Sequence, residues 1–176
     1  MELRTAAPED LGKIMELIDQ AKAFLKRNGV DQWQNGYPDQ TCIEEDIRKG
    51  RGYLCILDHD IAGYVCILDH DIAGYVCIDF EGEPAYDTLD GKWLSIQPYV
   101  VVHRLALDAS IRGQGLASQV FEETERLARS REIHSFKVDT DNDNQIMKHL
   151  LEKNGFQFCG TICFDNSEKI AFEKLI

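Results

Sequence analysis

The fold is decided by residues 99–118, which read Tyr99-Val-Val-Val-His-Arg-Leu-Ala-Leu-Asp-Ala-Ser-Ile-Arg-Gly-Gln-Gly-Leu-Ala-Ser118. The first half is almost continuously apolar, as is typical of a strand buried on both faces of a sheet. Gly113 and Gly115 then precede an amphipathic helix. Glycines let the backbone approach a ligand closely, and the first N–H groups of a helix are free to bind phosphate oxygens. The stretch predicts an anion-binding loop, although a tight helix start without a ligand has the same pattern.

Two other phosphate-binding motifs do not fit this loop. A dinucleotide-binding fingerprint requires a third glycine and an early position in a βαβ unit. A phosphate loop of the Walker type requires Gly-Lys-Ser or Gly-Lys-Thr, which the segment lacks.

The pattern Arg112-x-x-Gly115-x-Ala117 resembles the acetyl-CoA pyrophosphate motif of GNAT acetyltransferases. The resemblance continues through Asp139-Thr140 and Asn144 to a helix that ends in Asn-Gly-Phe at residues 154–156, and it covers nearly the whole chain. It implies a single GNAT-like domain over residues 1–176. It also implies an N-acetyltransferase that moves an acetyl group from acetyl-CoA to an amine of a small molecule or protein by direct attack.

The resemblance further implies which residues bind acetyl-CoA, the acyl donor. Backbone N–H groups of residues 114–118 would hold the pyrophosphate. The backbone of residues 105–107 would pair with the pantetheine arm and polarise the thioester carbonyl. The residues assigned in this way are Leu105, Ala106, Leu107, Arg112, Gly113, Gln114, Gly115, Leu116, Ala117, Ser118 and Asn144.

The general acid and the general base do not follow from the motif that assigns the acetyl-CoA residues. The family commonly has a tyrosine that protonates the CoA thiolate, but Leu151 occupies that place, so the general acid is unassigned. His149 points to a different side of the helix and is a poor substitute. For the base we name His103, which shares one face of its strand with Leu105 and Leu107 and has a suitable intrinsic pKa. A hydrogen-bonded structural histidine beside Arg104 is the competing interpretation. Asp139 is a weaker candidate.

The pattern of the remaining chain predicts an α/β fold of the α+β type. Its sheet is mixed and mostly antiparallel, flanked by about four helices. Helices are predicted from Pro8 to Arg27, from Thr41 to Gly50, over residues 116–131 and over residues 144–153. Thr41 and Glu44 are predicted to form the capping box that opens the second helix. Short strands are predicted near residues 3–5, at 93–96 and 136–140, and in a final pair at 156–164 and 170–175.

An exact tandem repeat interrupts the first hairpin. Residues 55–65, Cys-Ile-Leu-Asp-His-Asp-Ile-Ala-Gly-Tyr-Val, recur unchanged as residues 66–76. One copy already contains a strand, a turn and a second strand. The second copy adds a duplicated hairpin segment that must loop out, slip in register or pair with another molecule. We interpret it as a recent or engineered duplication rather than a functional motif.

The length, net charge and cysteine spacing of the chain limit the classes of partner that it can bind. The chain has 176 residues, a formal net charge of −12 and six cysteines without Cys-x-x-Cys spacing. We therefore expect one domain, free thiols in the cytoplasm and no bound metal. Nucleic acid and anionic membranes are unsuitable partners for such an acidic chain, whereas a cationic substrate suits it.

Three functional classes remain open from the sequence. The first is the acetyltransferase. The second is a CoA-binding regulator without turnover, which the missing tyrosine makes conceivable. The third is an interaction module that uses the duplicated hairpin for strand exchange, which would give a homodimer.

Overall fold

The computed structural model describes residues 1–57, 71–164 and 167–176. Four α-helices lie within these ranges: α1 (Leu11–Arg27), α2 (Gln40–Arg48), α3 (Leu116–Arg129) and α4 (Gln145–Lys153). They accompany the strands β1 (Glu2–Thr5), β2 (Gly52–Leu57), β3 (Asp71–Asp79), β4 (Asp90–Gly91), β5 (Val100–Leu107), β6 (Ser135–Thr140), β7 (Gln157–Phe164) and β8 (Ser167–Leu175).

The strands form one mixed sheet in the order β1-β2-β3-β5-β6-β8-β7-β4. Every neighbouring pair is antiparallel except β5 and β6, which run parallel. The predicted α/β class, with a mostly antiparallel mixed sheet and about four helices, is confirmed.

The parallel pair is also a short junction near the middle of the sheet. β5 and β6 share only two register positions, Val100 with Phe136 and Val101 with Lys137. Beyond Val101 the two strands diverge, so the edge of β5 that faces β6 has no strand partner there among the described residues. This divergence divides the sheet into two halves with an opening between them.

Helices cover both faces of the sheet because each carries an apolar stripe. On one face, α1 buries Ile14, Leu17 and Ile18 against β2 and β3. On the other face, α3 and α4 bury aromatic and aliphatic side chains over β5 and β6, where Phe121 and Phe136 meet edge to face at 5.6 Å. Two cores on opposite faces therefore hold the diverging strands in place.

The two copies of the repeat each contribute one strand to the sheet. β2 contains the start of the first copy, residues 55–57, and β3 contains the end of the second copy, residues 71–76. The two strands pair directly and antiparallel. The chain after them therefore keeps the direction that a single copy would give. The rest of the duplicated segment, residues 58–70, lies outside the described residues.

We expect deletion of residues 66–76 to leave the fold intact. The deleted chain would join residues 60–65 to Cys77, which restores the nine-residue sequence of β3 without any change. Every register partner of β2 is therefore retained. Thermal unfolding should give a melting temperature within about 5 °C of the full-length value. An unfolded or aggregated deletion variant would show that the second copy is needed in full.

Two local predictions were wrong. The second helix begins at Gln40, and its N-cap is Asp39, whose side chain accepts from Cys42 N at 2.9 Å; Thr41 is not the cap. Residues 93–96 form no strand. Instead the Trp93 ring covers Lys137, with Nζ 4.0 Å from the ring centroid, and the indole donates to the Tyr86 carbonyl at 3.2 Å.

None of the helices in the described ranges has the length and apolar character needed to cross a bilayer.

Candidate active site

A cavity of about 660 Å³ opens where β5 and β6 diverge. Its walls are the end of β5, the glycine loop with the start of α3, the end of β6, α4, and the segment between α1 and α2. Trp33 and Tyr37, the aromatic residues of that segment, line it. The cavity thus collects most of the residues that the sequence singled out, from parts of the chain far apart.

The glycine loop presents a run of unused backbone donors to this cavity. The N–H groups of residues 113–117 donate to no other residue that the structure describes, whereas Ser118 N already bonds to Gly115 O at 3.1 Å. Gly113 and Gly115 have φ of 82° and 80°, which only glycine adopts without strain. The predicted loop therefore has the geometry of an anion cradle at a helix N-terminus.

Arg112 anchors this loop to α1. Its guanidinium lies over the Phe24 ring at 4.0 Å, and Nη2 donates to the Gln20 carbonyl at 3.4 Å. Gln20 also accepts from Ala109 N through its side chain at 2.9 Å. The loop is therefore held against α1 by contacts that do not use the N–H groups of residues 113–117.

β5 contains a bulge next to the cavity. Tyr75 pairs with Ala106, and Cys77 pairs with His103, so two residues of β5 oppose one residue of β3. Arg104, within the bulge, has φ of 53°. The extra residue reverses the alternation, and His103 shares a face with Ala106. The prediction that His103 and Leu105 share a face was wrong for this reason.

Asp139 is the carboxylate of the cavity whose acidity is most changed. Burial raises its pKa to about 6, and the neighbouring carboxylates of Glu83 and Asp141 add to the shift. The Tyr86 hydroxyl donates to Asp139 Oδ1 at 2.8 Å. A carboxylate with this pKa is ionised at neutral pH and can accept a proton from an ammonium group held beside it.

The pKa of His103 is shifted in the opposite direction. Burial lowers its pKa to about 3, and the nearby Arg104 guanidinium lowers it further. Nε2 lies 3.7 Å from Glu83 Oε2. The imidazole is therefore neutral at physiological pH and a weak proton acceptor. Its role as the base stays a prediction.

Comparison with known proteins identifies the family. The model of the acetyltransferase (GNAT) family matches residues 18–156. The chain belongs to the GNAT family. A GNAT acetyltransferase from Streptococcus agalactiae is similar to it at 32% identity and a TM-score of 0.84, with 99% of this chain and 95% of that chain covered. The predicted N-acetyltransferase class is thereby confirmed. No curated protein sequence matches the chain.

Two further solved structures share the architecture. A GNAT acetyltransferase from Listeria monocytogenes is 25% identical, with a TM-score of 0.73 over 99% of this chain and 94% of that chain. The aminoglycoside acetyltransferase AAC(6′)-Ib in complex with coenzyme A is 18% identical, with a TM-score of 0.64 over 98% of this chain and 93% of that chain. The similarity to this aminoglycoside acetyltransferase shows only that the two proteins share a fold.

Asn144, predicted from the GNAT resemblance to approach CoA, lines the cavity and begins α4. Its Oδ1 accepts from Met147 N at 3.1 Å, so the side chain caps the helix. Its Nδ2 donates to Gln32 Oε1 at 2.9 Å. Gln32 Oε1 also accepts from Thr140 Oγ1 at 3.4 Å. Gln32 thereby links the α1–α2 segment to the end of β6 and the start of α4, a contact that the sequence did not indicate.

Leu151, which stands where GNAT proteins commonly have a tyrosine, and the nearby His149 lie in different surroundings. Leu151 is fully buried in the core beneath α4. His149 points to a different side of the helix, as predicted, but that side lines the cavity. His149 therefore belongs to the site although it lies on a different side of the helix from Leu151.

A His103→Gln variant separates the two candidate bases. Because the imidazole is already neutral above about pH 5, we expect the pH profile of kcat/KM to keep its shape between about pH 5 and 9. The profile is measured under acetyl-CoA saturation with varied amine. Loss of an acidic limb near neutrality in this variant would restore His103 as the base.

Sequence reasoning also missed Tyr86 and Arg104 as parts of the site. Tyr86 lies 53 positions from Asp139 and in a loop that no periodic pattern places. Arg104 stands in an apolar run, and that single charged residue in a central strand was the available signal. No group of three or more metal-binding side chains occurs in the described part of the chain.

Proposed function

We propose that this GNAT enzyme transfers an acetyl group from acetyl-CoA to the amine of a cationic small molecule or protein. The observation that carries the proposal is the run of unused N–H groups at residues 113–117, directly beside the free edge of β5. A pyrophosphate fits such a cradle, and an extended pantetheine arm fits a strand edge without a partner. Acetyl-CoA supplies an activated carbonyl and a thiolate leaving group.

The glycine loop would bind the pyrophosphate oxygens. Several N–H donors converge on one site, and the N-terminal end of α3 adds the positive end of its dipole. Arg112 sits at the edge of this site, where its packing on α1 keeps the loop in one conformation. The cofactor residues assigned by resemblance, Leu105–Leu107, Arg112–Ser118 and Asn144, all belong to this arrangement as proposals.

The free edge of β5 would orient the thioester. Backbone groups of residues 105–107 would pair with the amides of the arm, as a strand pairs with a peptide. A backbone N–H that points at the thioester carbonyl would stabilise the negative charge that develops on its oxygen during attack. This contribution depends on backbone position, and the bulge at Arg104 determines that position.

Asp139 would accept the proton of the attacking amine. The ammonium first gives one proton to Asp139, and the neutral amine then attacks the thioester carbonyl. The C–N bond forms as the C–S bond breaks, and the second proton lost by the nitrogen passes to the departing CoA thiolate or to water. A thiolate is an adequate leaving group near neutrality because thiols are far more acidic than alcohols, so Leu151 at the usual tyrosine position does not prevent turnover.

The location and assembly of the enzyme remain proposals as well. The five cysteines within the described residues are free thiols, as expected in the reducing cytoplasm. The homodimer, with or without strand exchange through the duplicated segment, is likewise proposed on the sequence alone.

The direct test is a thiol-release assay. The purified chain is incubated with acetyl-CoA and a panel of primary amines that includes polyamines, aminoglycosides and peptides with free N-termini. Release of free CoA that depends on one amine class supports the proposal and names the acceptor. Binding of acetyl-CoA without turnover on any amine would favour the regulator.

A further inference from the structure

Asp46 of α2 is a fully buried carboxylate with an unusual number of donors. Arg104 approaches it with two nitrogens, Nε at 2.7 Å and Nη2 at 2.6 Å. Arg51 Nε donates at 2.9 Å, the Tyr75 hydroxyl at 2.7 Å, and the Cys77 thiol lies at 3.5 Å. The carboxylate therefore collects charge-assisted hydrogen bonds from three strands or strand ends.

Arg104 is the strained member of this cluster. It has φ of 53°, a left-handed conformation that is unfavourable for a side chain of its size. Such a conformation persists only where surrounding contacts determine it more than once. Besides Asp46, the guanidinium contacts the Tyr37 hydroxyl through Nη1 at 2.6 Å and the Cys77 sulfur through Nη2 at 3.0 Å. Every terminal nitrogen of Arg104 thus has a partner.

The strain occurs within the part of β5, residues 102–107, that lines the cavity. Arg104 lies within the bulge that β5 forms against β3, and residues 105–107 follow it directly. Removing the bulge would shift these residues by one position and turn each backbone N–H and C=O to the opposite edge of the strand. The conformation of one arginine therefore sets which backbone groups face the cavity.

We propose that the Asp46–Arg104 ion pair is a positioning device that holds the bulge of β5 in register and so aims the backbone of residues 105–107 at the acyl-donor arm. The inference rests on the proposed function for the nature of that arm. Asp46 and Arg104 touch no reacting atom. They act through the backbone, and α2 becomes a part of the catalytic architecture although it lies outside the cavity.

If the ion pair only stabilised the fold, the expected kinetic constants of the variants would be different. Buried ion pairs are frequently replaceable by apolar residues at little cost in stability. If Arg104 served stability alone, a variant that folds would keep the kinetic constants of the parent enzyme. If Arg104 holds the bulge, a variant that folds would bind and turn over acetyl-CoA poorly.

The test compares Arg104→Met with the matched control Arg51→Met. Arg51 donates to the same carboxylate but stands before β2 and also pairs with Asp79 at 2.6 Å. We expect both variants to lose thermal stability. In Arg104→Met, kcat/KM for acetyl-CoA should fall about 100-fold, since a displacement of about 1 Å has effects of that size, while KM for the amine changes little. Arg51→Met should keep both constants.

A second variant and a second measurement test the proposal even if Arg104→Met does not fold. Arg104→Lys retains the charge without the planar fork and should show the same kinetic loss if Arg104→Met does not fold. Amide hydrogen exchange over residues 103–107 should be at least about tenfold faster in either Arg104 variant than in Arg51→Met. This measurement needs no ligand, so it reports on the bulge even if the parent protein fails to bind acetyl-CoA. Parental exchange rates at residues 103–107 in a folded Arg104 variant would overturn the inference.

Discussion

Replacing Gly115 by valine should abolish measurable acetyl-CoA binding while the protein stays folded. Gly115 has φ of 80° and is the N-cap of α3, so a β-branched residue there must distort the first turn of the helix. A side chain would also stand in the cradle where the phosphates approach. Loss of two or three charge-assisted hydrogen bonds corresponds to an affinity loss of about 100-fold or more. Calorimetric titration with acetyl-CoA measures it.

Gly50→Val is the matched control for this substitution. Gly50 has φ of 67° at the end of α2, and at Gly50, as at Gly115, no heavy atom lies within 4 Å of the point that a Cβ would occupy. Both variants therefore carry a similar backbone strain. Gly50→Val should bind acetyl-CoA with parental affinity. Equal affinities in all three proteins would mean that the glycine loop is only a helix start.

The second large effect is expected for Asp139→Asn. An amide cannot accept the ammonium proton, and general base catalysis contributes about 100-fold to 10,000-fold in rate. We expect kcat to fall at least about 100-fold while acetyl-CoA affinity is retained. The parent enzyme should show an acidic limb in kcat/KM near pH 6, because the pKa of Asp139 is about 6, and the variant should lack it.

The same substitution should stabilise the protein. The pKa of Asp139 is raised from an ordinary value of 3.8 to about 6, so the parent gains stability as the pH falls from about 6 to 4 and lacks that gain at pH 7. Asparagine removes the buried charge and can still accept from Tyr86. At pH 7 the free energy of unfolding of the variant should exceed that of the parent by up to about 3 kcal/mol, and this advantage should vanish below about pH 4. Urea unfolding at the two pH values measures both differences.

Asp141→Asn controls for the loss of a cavity carboxylate. Asp141 pairs with Lys169 and lies two residues after Asp139, but no tyrosine hydroxyl of the described residues is aimed at it. We expect this variant to keep the acidic limb near pH 6. An unchanged limb in Asp139→Asn, or its loss in Asp141→Asn instead, would assign the proton acceptor elsewhere.

The glycine loop and the helix after it were predictable because their cause is local. Gly113 and Gly115 need left-handed backbone, and the helix start they create exposes N–H groups whatever the rest of the fold does. The same holds for the amphipathic helices, since the spacing of apolar residues such as Ile14, Leu17 and Ile18 is itself the signal.

The bulge in β5 was not predictable from alternation. A period of two describes an undisturbed strand, and one extra residue reverses every position after it, as the pairing of His103 with Cys77 shows. Its cause lies elsewhere in the chain, in the carboxylate of Asp46. The charged Arg104 within an apolar strand was the only local sign of it.

The environment of Asp139 also depends on distant residues. The Tyr86 hydroxyl and the Glu83 carboxylate come from the loop before β5, and that loop packs on the sheet through Trp93 and Lys137. The sequence of residues 93–96 resembled a strand because it is mostly apolar, but only the Trp93 ring packs on the sheet, whereas Leu94 and Ile96 are exposed. Burial, which raises the pKa of Asp139, therefore became visible only in three dimensions.

Calorimetric titration of the full-length protein with acetyl-CoA tests the central claim most directly. We predict saturable binding at one site per chain, with an affinity that falls as salt is added because phosphate contacts carry part of it. Absence of saturation up to millimolar acetyl-CoA would contradict the proposed donor site at the glycine loop and the free edge of β5.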